Sequence, residues 1–245
     1  MFSTDPIASR IDIEEDILAQ DFNQPVILKV KSVYQGNAAD VHRYQFQNMT
    51  LDNIKRSYLE YFSRYYNGIS VESAPRFEDD TVHNRFTVYE TYRIDDYWKH
   101  ENSVIYSKIY NLSYIEALRT PKVKQRQTPY FLGSPRQVNS VFRLHYPQDV
   151  LIKLDEKPVN ISNPALNYSY QDLYADGVYT HRSSLNVRQK NVALADVDVF
   201  LQDLEEIHKD WEYTLTVKDP NGLPGLRELQ TLKQHLKQLA GKAHE

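Results

Sequence analysis

The sequence predicts a mainly β fold with helices: an antiparallel, β-sandwich-like body with two helices after the first strands, one helix before the last strand and an appended C-terminal helix. Three observations lead to this prediction. Apolar and polar residues alternate over many short segments, as they do in half-buried strands. Tyrosine, which favours pleated surfaces, occurs 19 times, whereas glycine occurs 7 times. Asn, Asp and Pro separate the segments without a regular β–α–β spacing, which favours antiparallel sheets.

Two strands followed by two helices are predicted at the start of the chain. Residues 9–35 contain two alternating segments, and Gly36 ends the second one. Helices are predicted over about 38–66, and Thr50 is a good N-cap for the second of them. Apolar residues at i, i+3 and i+4 predict the buried helix faces. On the first helix these residues are Ala38, Val41 and Tyr44, and on the second Leu51, Ile54, Tyr58, Tyr61, Phe62 and Tyr65.

The rest of the body is predicted to consist of strands with one helix. Residues 85–94 alternate most clearly, and Glu90 shares their apolar face. The other predicted elements are strands at 69–71, 104–112, 137–146, 150–154, 159–161, 166–170 and 177–187, a helix at 193–209 and a closing strand at 211–217. The predicted domains are a β-rich domain over 1–217, a Pro- and Gly-containing linker over 218–225 and a C-terminal amphipathic helix over 226–245.

The composition argues against several classes of function. The net charge of −4 and the lack of a Lys/Arg-rich run give no basis for nucleic-acid binding. No segment approaches the roughly 20 apolar residues of a membrane span. The absence of cysteine excludes disulfides, thiolate zinc sites and cysteine nucleophiles. The eight histidines lack the spacing of a helical zinc site. We therefore predict neither a metal nor a cofactor.

Residues 77–98 carry two aspartate pairs, Asp79/Asp80 and Asp95/Asp96. Two carboxyls roughly 5–10 Å apart can serve as acid and base in glycoside cleavage. The pairs, however, flank the strand at 85–94, and ten residues at about 3.3 Å each separate them by roughly 33 Å. We therefore interpret them as turn and cap residues, and a carboxylate-dependent hydrolase remains an alternative function. A calcium site near Asp79 lacks the usual Asp-x-Asp-x-Asp-Gly order.

Two other features suggest chemistry. Glu90 points the same way as apolar neighbours, so we expect it to be buried in an ion pair with Arg43 or Arg126. Tyrosines near two later strands form either an aromatic platform for sugar or part of the core, and the core interpretation is favoured. If they are exposed, the chain is a carbohydrate-binding module. The tyrosines concerned are Tyr168, Tyr170 and Tyr174.

Two stretches carry a family resemblance. "VKSVYQGNAADVHRYQFQNMTLDNIKRSYLEYFSRYYNGISV" and "EDDTVHNRFTVYETYRIDDYW" resemble the β-rich region that follows the papain-like core in bacterial transglutaminase-like proteins, which also have an N-terminal β-domain of unknown function. "RQTPYFLGSPRQVNSVFRLHYP" is similar too, so the resemblance covers roughly 9–217. The matching motif residues are Gly36, Asp40, Arg43, Asp79, Asp80, Asn84, Glu90, Tyr92, Trp98, Arg126 and Pro129.

The resemblance implies a non-catalytic role, because the Cys–His–Asp constellation of the family's core has no counterpart in a chain without cysteine. It implies an accessory or interaction domain that packs on such a core, in cis or in trans, or binds another protein. A chain cut from a longer family member would be periplasmic or extracellular. A stand-alone chain would be cytoplasmic, since its first residues do not form a signal peptide. The leucine stripe of the C-terminal helix is a candidate homo-oligomer contact.

Overall fold

The structure, a computed structural model, describes residues 7–114, 118, 128–154 and 158–218. The predicted β-rich fold with helices is confirmed. The strands are β1 (Ser9–Leu18), β2 (Val26–Gly36), β3 (Ile69–Asp80), β4 (Arg85–Ile94), β5 (Lys99–Glu101), β6 (Val104–Tyr110), β7 (Tyr130–Phe131), β8 (Arg136–His145), β9 (Val159–Ser162), β10 (Leu166–Ala175), β11 (Val178–Val187), β12 (Asn191–Val192) and β13 (Glu212–Lys218). The helices are α1 (Asn37–Asn48), α2 (Leu51–Phe62) and α3 (Val197–His208).

One eight-stranded sheet dominates the fold, with the strand order β3-β4-β2-β1-β8-β11-β10-β9. A three-stranded sheet, β13-β6-β5, and a two-stranded sheet, β12-β7, accompany it. Neighbouring strands of the large sheet are antiparallel, except that β1 and β8 are parallel. The sheet is therefore mixed and not wholly antiparallel as predicted. The long connection from β1 to β8, which includes two helices, provides the crossover that a parallel pair requires.

The two faces of the large sheet differ. On one face, side chains such as Leu28 and Phe142 pack with Ile105 and Leu215 of the small sheet in one core cluster. A second cluster joins the far half of the sheet to α3, and its members include Leu166, Leu185, Phe200, Leu204 and Ile207. Helices α1 and α2 cover the near half, where α1 contacts β1, β2 and β4. The opposite face carries exposed charged residues such as Lys29 and Arg182, so it is the more polar of the two in the part of the chain that the structure describes.

Local sequence rules place several elements correctly. Strand β4 has the predicted bounds, and its alternate residues from Phe86 to Ile94 are buried, while Arg85 and Arg93 are exposed. At the start of α2 the Oγ1 atom of Thr50 accepts a hydrogen bond from the backbone N–H of Asn53 at 3.3 Å, as expected of an N-cap. The helix at 193–209 and the strand at 211–217 are observed as α3 and β13.

The predicted buried face of α1 is wrong. Val41 and Tyr44 are 64% and 68% exposed, whereas Ala39 is fully buried and Phe46 packs against the core. Side-chain contacts fix the rotation of the helix about its axis, so that the apolar face predicted from the sequence does not point to the core. The ring of His42 stacks on Tyr34 of β2, and the neighbouring arginine binds the end of β3.

Other differences concern extent. Residues 150–154 form no strand, and the backbone N–H of Val150 instead donates to the hydroxyl of Tyr174 at 2.8 Å. Strand β10 continues to Ala175, five residues past its predicted end at 170. The predicted linker beyond Lys218, the C-terminal helix and Arg126 lie outside the described residues. Within the described ranges, no helix is long and apolar enough to cross a membrane.

Candidate functional site

A cavity of about 390 Å³ lies between the first half of the large sheet and helices α1 and α2. We call it the inter-layer cavity. Strands β1, β2 and β4 form its floor, the two helices form its roof, and the helical turn at 112–114 contributes one side. Its apolar wall includes Ile11, Ile13, Val30, Phe62 and Leu112. The cavity therefore occupies the layer boundary where a sandwich normally has only core side chains.

Two carboxyl groups line this cavity. Glu15 on β1 lies opposite Val30 on β2, and Val30 lies opposite Glu90 on β4. Residues directly opposite each other across a sheet point to the same face, and strands are about 4.8 Å apart. The two glutamate Cα atoms are therefore roughly 10 Å apart, with both side chains directed towards the helices. Both are buried, with exposures of 4% for Glu15 and 8% for Glu90.

The hydrogen bonding of the two glutamates differs. The hydroxyl of Tyr92 donates to Oε2 of Glu90. Glu15 makes no hydrogen bond or ion pair with any residue in the part of the chain that the structure describes. An unpartnered buried carboxyl costs several kcal/mol, on the order of 2–7 for a neutral polar group and more for a charge. Glu15 is therefore the most unusual side chain of the cavity.

Burial makes both carboxyls weaker acids than an exposed glutamate. It raises the pKa of Glu15 to about 8, and the charge of Glu90 adds to this effect. Burial also raises the pKa of Glu90 to about 7, although the hydrogen bond from Tyr92 works in the opposite direction. Burial lowers the pKa of the roof histidine, His42, to about 4, because it disfavours the charged imidazolium. Near neutral pH the cavity thus contains a neutral imidazole and a carboxyl pair that is ready to ionise.

Two polar atoms of the cavity wall are fully enclosed and have no hydrogen-bond partner among the described residues. They are Nδ1 of His42 and the hydroxyl oxygen of Tyr58. The His42 ring lies 3.5 Å from the ring of Tyr34, centroid to centroid, and the two are stacked. Burial raises the pKa of Tyr34 to about 12. Such a group calls for an explanation, and beside a cavity a bound water or ligand can supply the missing hydrogen bond.

The predicted ion pair between Glu90 and Arg43 is wrong. Arg43 instead donates to both carboxylate oxygens of Asp79 through Nε and Nη2, at 2.9–3.0 Å. Its Nη1 donates to Asp40 at 3.0 Å and to Oδ1 of Asn84 at 3.1 Å. Arg43 points away from the cavity because Asp79 and Asn84 lie at the end of the β3–β4 hairpin, and Asp40 precedes Arg43 by one turn on α1. The alternative partner, Arg126, lies outside the described residues.

This contact defines a corner cluster in which five of the motif residues meet. Besides Arg43, Asp40, Asp79 and Asn84, it contains Gly36, whose carbonyl accepts from Asn84 Nδ2 at 3.5 Å. Gly36 has a positive φ of 63°, and a Cβ there would lie 2.5 Å from the carbonyl oxygen of Ala8. The corner cluster fixes α1 to the β3–β4 hairpin. Its role is to position the roof of the inter-layer cavity.

Comparisons with known proteins do not identify the chain. No protein-family model matches it, and no curated protein matches it significantly. The resemblance to transglutaminase-like proteins consequently rests on the motif residues alone and stays a prediction. The function proposed below therefore rests on the geometry of the described residues.

The aspartate pairs lie at opposite ends of β4, and Asp80 is the member whose side chain bonds within a turn. Asp80 accepts from the backbone N–H of His83 at 3.1 Å and from Arg85 at 3.1 Å. Asp95 accepts from Arg93 at 2.9 Å. Within the described ranges, no group of three or more histidine or acidic residues is arranged to hold a metal ion.

The remaining predicted residues are dispersed. Trp98 is buried and packs edge-on against Phe22, with 5.0 Å between ring centroids. Pro129 is exposed just before β7. Tyr168 is 1% exposed, which agrees with the favoured core interpretation and argues against the alternative of an exposed aromatic platform. Tyr170 and Tyr174 are half-buried, and the hydroxyl of Tyr174 donates to Asp149 at 2.8 Å.

The sequence reasoning missed a second buried polar group, centred on His181 of β11. Its Nδ1 lies 2.8 Å from Asp172, and its Nε2 lies 3.3 Å from Asp210. The hydroxyl of Tyr168 also donates to Asp210, and Nδ2 of Asn111 donates to it at 2.9 Å. Glu15 was missed as well. Its signal was an acid in phase with Ile11, Ile13 and Ile17, the same pattern that drew attention to Glu90.

Proposed function

We propose that this chain is a non-catalytic binding domain and that its ligand occupies the inter-layer cavity. A single observation carries the proposal: Glu15 is 4% exposed and lines a cavity, yet it has no partner among the described residues. A carboxyl in this position destabilises the unliganded fold. A ligand that satisfies the carboxyl would recover that cost on binding.

The shape and chemistry of the cavity support binding. Its volume of about 390 Å³ lies within the range of roughly 300–1,000 Å³ that is usual for small-ligand sites. Such sites combine apolar walls with a few convergent polar groups. Here Ile13, Val30 and Phe62 supply apolar wall, and Glu15 and Glu90 supply the polar groups.

An accessory role is consistent with this proposal. The chain has no cysteine, so it lacks the nucleophile of a transglutaminase-like core. The resemblance supports a domain that works beside such a core, in cis or in trans, or with another protein partner, in the periplasm or outside the cell. With a binding cavity, such a domain would bind a ligand beside the core or the partner protein.

The proposal is tested by blocking the cavity from its exposed rim. Ser57 of α2 lines the cavity and is exposed, so Ser57→Trp introduces a large ring there without replacing a core residue. Arg56→Trp, also exposed on α2 and not part of the lining, is the matched control. A library of cationic, neutral and anionic fragments is screened against the three proteins by ligand-observed NMR. We expect at least one fragment to bind the wild type and Arg56→Trp but not Ser57→Trp. Equal fragment binding by all three proteins, or none by the wild type, would refute the proposal.

A second candidate function is a carboxylate-dependent hydrolase that uses Glu15 and Glu90. The observation that favours it is their placement in one row facing one cavity, a pairing that the aspartates at the ends of β4 lack. Chromogenic glycosides test it. Turnover that disappears in Glu15→Gln and in Glu90→Gln but persists in Asp95→Asn would establish this function over the non-catalytic one.

A further inference from the structure

We infer that the inter-layer cavity binds a primary or secondary ammonium group on a short apolar stem, and that Glu15 and Glu90 accept its hydrogen bonds. The inference rests on the binding function proposed above and names the class of ligand.

The charges of the cavity lining favour a cation. Neither lysine nor arginine is among the described residues that line the cavity, and its histidine, His42, has no hydrogen-bond partner at Nδ1. A buried carboxylate is stable only when it is paired with a cation or with several donors. The described residues supply one donor, the hydroxyl of Tyr92, to Glu90 and none to Glu15. A cationic ligand therefore provides the missing partner.

The acceptors of the two glutamates favour a ligand with several donors. An ammonium group carries two or three N–H donors and no acceptor. Glu15 offers two acceptor oxygens, and Glu90 shares Oε2 with Tyr92. An alcohol has a single O–H donor and cannot donate to both carboxylates. An anionic ligand would place a negative charge beside two groups that ionise near neutral pH. An ammonium group is thus the ligand group that can donate to both glutamates.

The wall of the cavity suits a cation on an alkyl stem. Tyr34, Tyr58 and Tyr61 line the cavity, and aromatic rings attract cations in desolvated sites. Ile11 and Ile13 extend the apolar wall along β1 beside Glu15. An alkyl stem can pack on these side chains while the ammonium head reaches the carboxylate row. Because the wall is apolar beside the carboxylate row, a short alkyl amine fits it better than a polyhydroxylated ligand does.

Binding has a proton balance that can be measured. When the ammonium ion enters, a protonated carboxyl loses its O–H bond, the proton leaves to solvent, and the carboxylate oxygen accepts an N–H hydrogen bond. The ammonium itself stays protonated. The other titratable groups that face the pair from the packed elements are Tyr34 on β2, His42 on α1, Tyr58 and Tyr61 on α2, Tyr66 after α2, and Tyr92 on β4. Burial raises the pKa of Tyr34, Tyr58, Tyr66 and Tyr92 and lowers that of His42, so these groups stay neutral near neutral pH. The released protons therefore come from the carboxyl pair.

The test is titration calorimetry of the full chain with n-pentylammonium, 1-pentanol and pentanoate, which share one stem. Nα-acetyl-lysine methylamide is the fourth probe, and it distinguishes a free amine from a lysine side chain of a peptide. We expect n-pentylammonium or the lysine derivative to bind at least about tenfold more tightly than the alcohol and the acid. Repeating the titration in buffers of different ionisation enthalpy should reveal proton release.

Glu15→Gln and Glu90→Gln keep the side-chain shape and remove the acid. Each should weaken ammonium binding at least about tenfold and leave alcohol binding unchanged. Glu72→Gln, at an exposed site on β3, is the control and should behave like the wild type. Circular dichroism checks that the variants are folded.

The inference is overturned if 1-pentanol binds as tightly as both amines, or if amine binding survives both glutamate substitutions. In either case, if Ser57→Trp still abolishes binding of a ligand, the proposed binding function of the cavity stands and only the ligand class is wrong. If no probe and no library fragment binds, the proposed function itself fails.

Discussion

Glu15 and Glu90 lie on either side of Val30, in one row that crosses three strands of the large sheet. This relationship depends on strand register. A shift of one residue between β1 and β2 would turn Glu15 to the opposite, more polar face, where a carboxylate costs less. The observed register keeps both acids on the buried face. Burying two carboxyl groups costs stability. Proteins accept such a cost mainly at functional sites.

The buried pair predicts a specific pH dependence of stability. Burial raises the pKa of Glu15 from 4.5 to about 8, so the folded chain holds this proton more tightly than the unfolded chain. The resulting stabilisation is complete below about pH 4.5 and is lost as the pH rises to about 8. We expect Glu15→Gln to remove this loss. Between about pH 5 and pH 8 the wild type should lose roughly 2–5 kcal/mol relative to the variant, measured by urea unfolding.

The control for this prediction is Glu72→Gln, because Glu72 is exposed on β3. Its free energy of unfolding should follow that of the wild type across the same pH range. A Glu15→Gln profile parallel to the wild type would show that Glu15 titrates at its ordinary pKa and is solvated in solution.

The corner cluster predicts that Gly36 is irreplaceable. Gly36→Ala would place a Cβ 2.5 Å from the carbonyl oxygen of Ala8, in a backbone with φ of 63°. Gly177 also has a positive φ, of 78°, but a Cβ added there would meet nothing within 4 Å. We expect Gly177→Ala to cost about 1 kcal/mol for the backbone alone and Gly36→Ala at least about 3 kcal/mol, because backbone atoms must also move. Equal costs in urea unfolding would contradict the observed contact between Gly36 and Ala8.

The rotation of α1 is tested by placing a charge on each side of the helix. Ala39 is fully buried, so Ala39→Asp should lower the free energy of unfolding by more than about 3 kcal/mol. Val41 is 64% exposed, and Val41→Asp should change it by less than about 0.5 kcal/mol. The reverse order would mean that the apolar periodicity describes the helix correctly and that the stacking of His42 on Tyr34 is not maintained.

These residues show how far sequence reasoning reaches. Alternation in 85–94 determined the bounds of β4 and the burial of Glu90, because period-2 burial is local information. The partner of Glu90 and the pairing of β1 with β8 depend on contacts between distant segments, and no local pattern encodes them. The face of α1 was mistaken for the same reason, since Arg43 and Asp79 are 36 residues apart. Glu15 was within reach of the alternation rule and was passed over.

His181 provides the last prediction. Burial alone would lower the pKa of its imidazole, but hydrogen bonds with Asp172 and Asp210 and their charges outweigh burial and raise that pKa from 6.5 to about 9. The protonated ring therefore contributes stability that is complete below about pH 6.5 and is lost as the pH rises through about 9. His181→Gln leaves Asp210, 4% exposed, without its cation and should cost about 3–5 kcal/mol near pH 6. That cost should shrink above about pH 9, where the wild-type ring is neutral too.

His83→Gln, at an exposed histidine, should have little effect at any pH. An NMR titration that finds the His181 ring neutral near pH 7 would contradict this account, because an imidazole held between two carboxylates must retain its proton there.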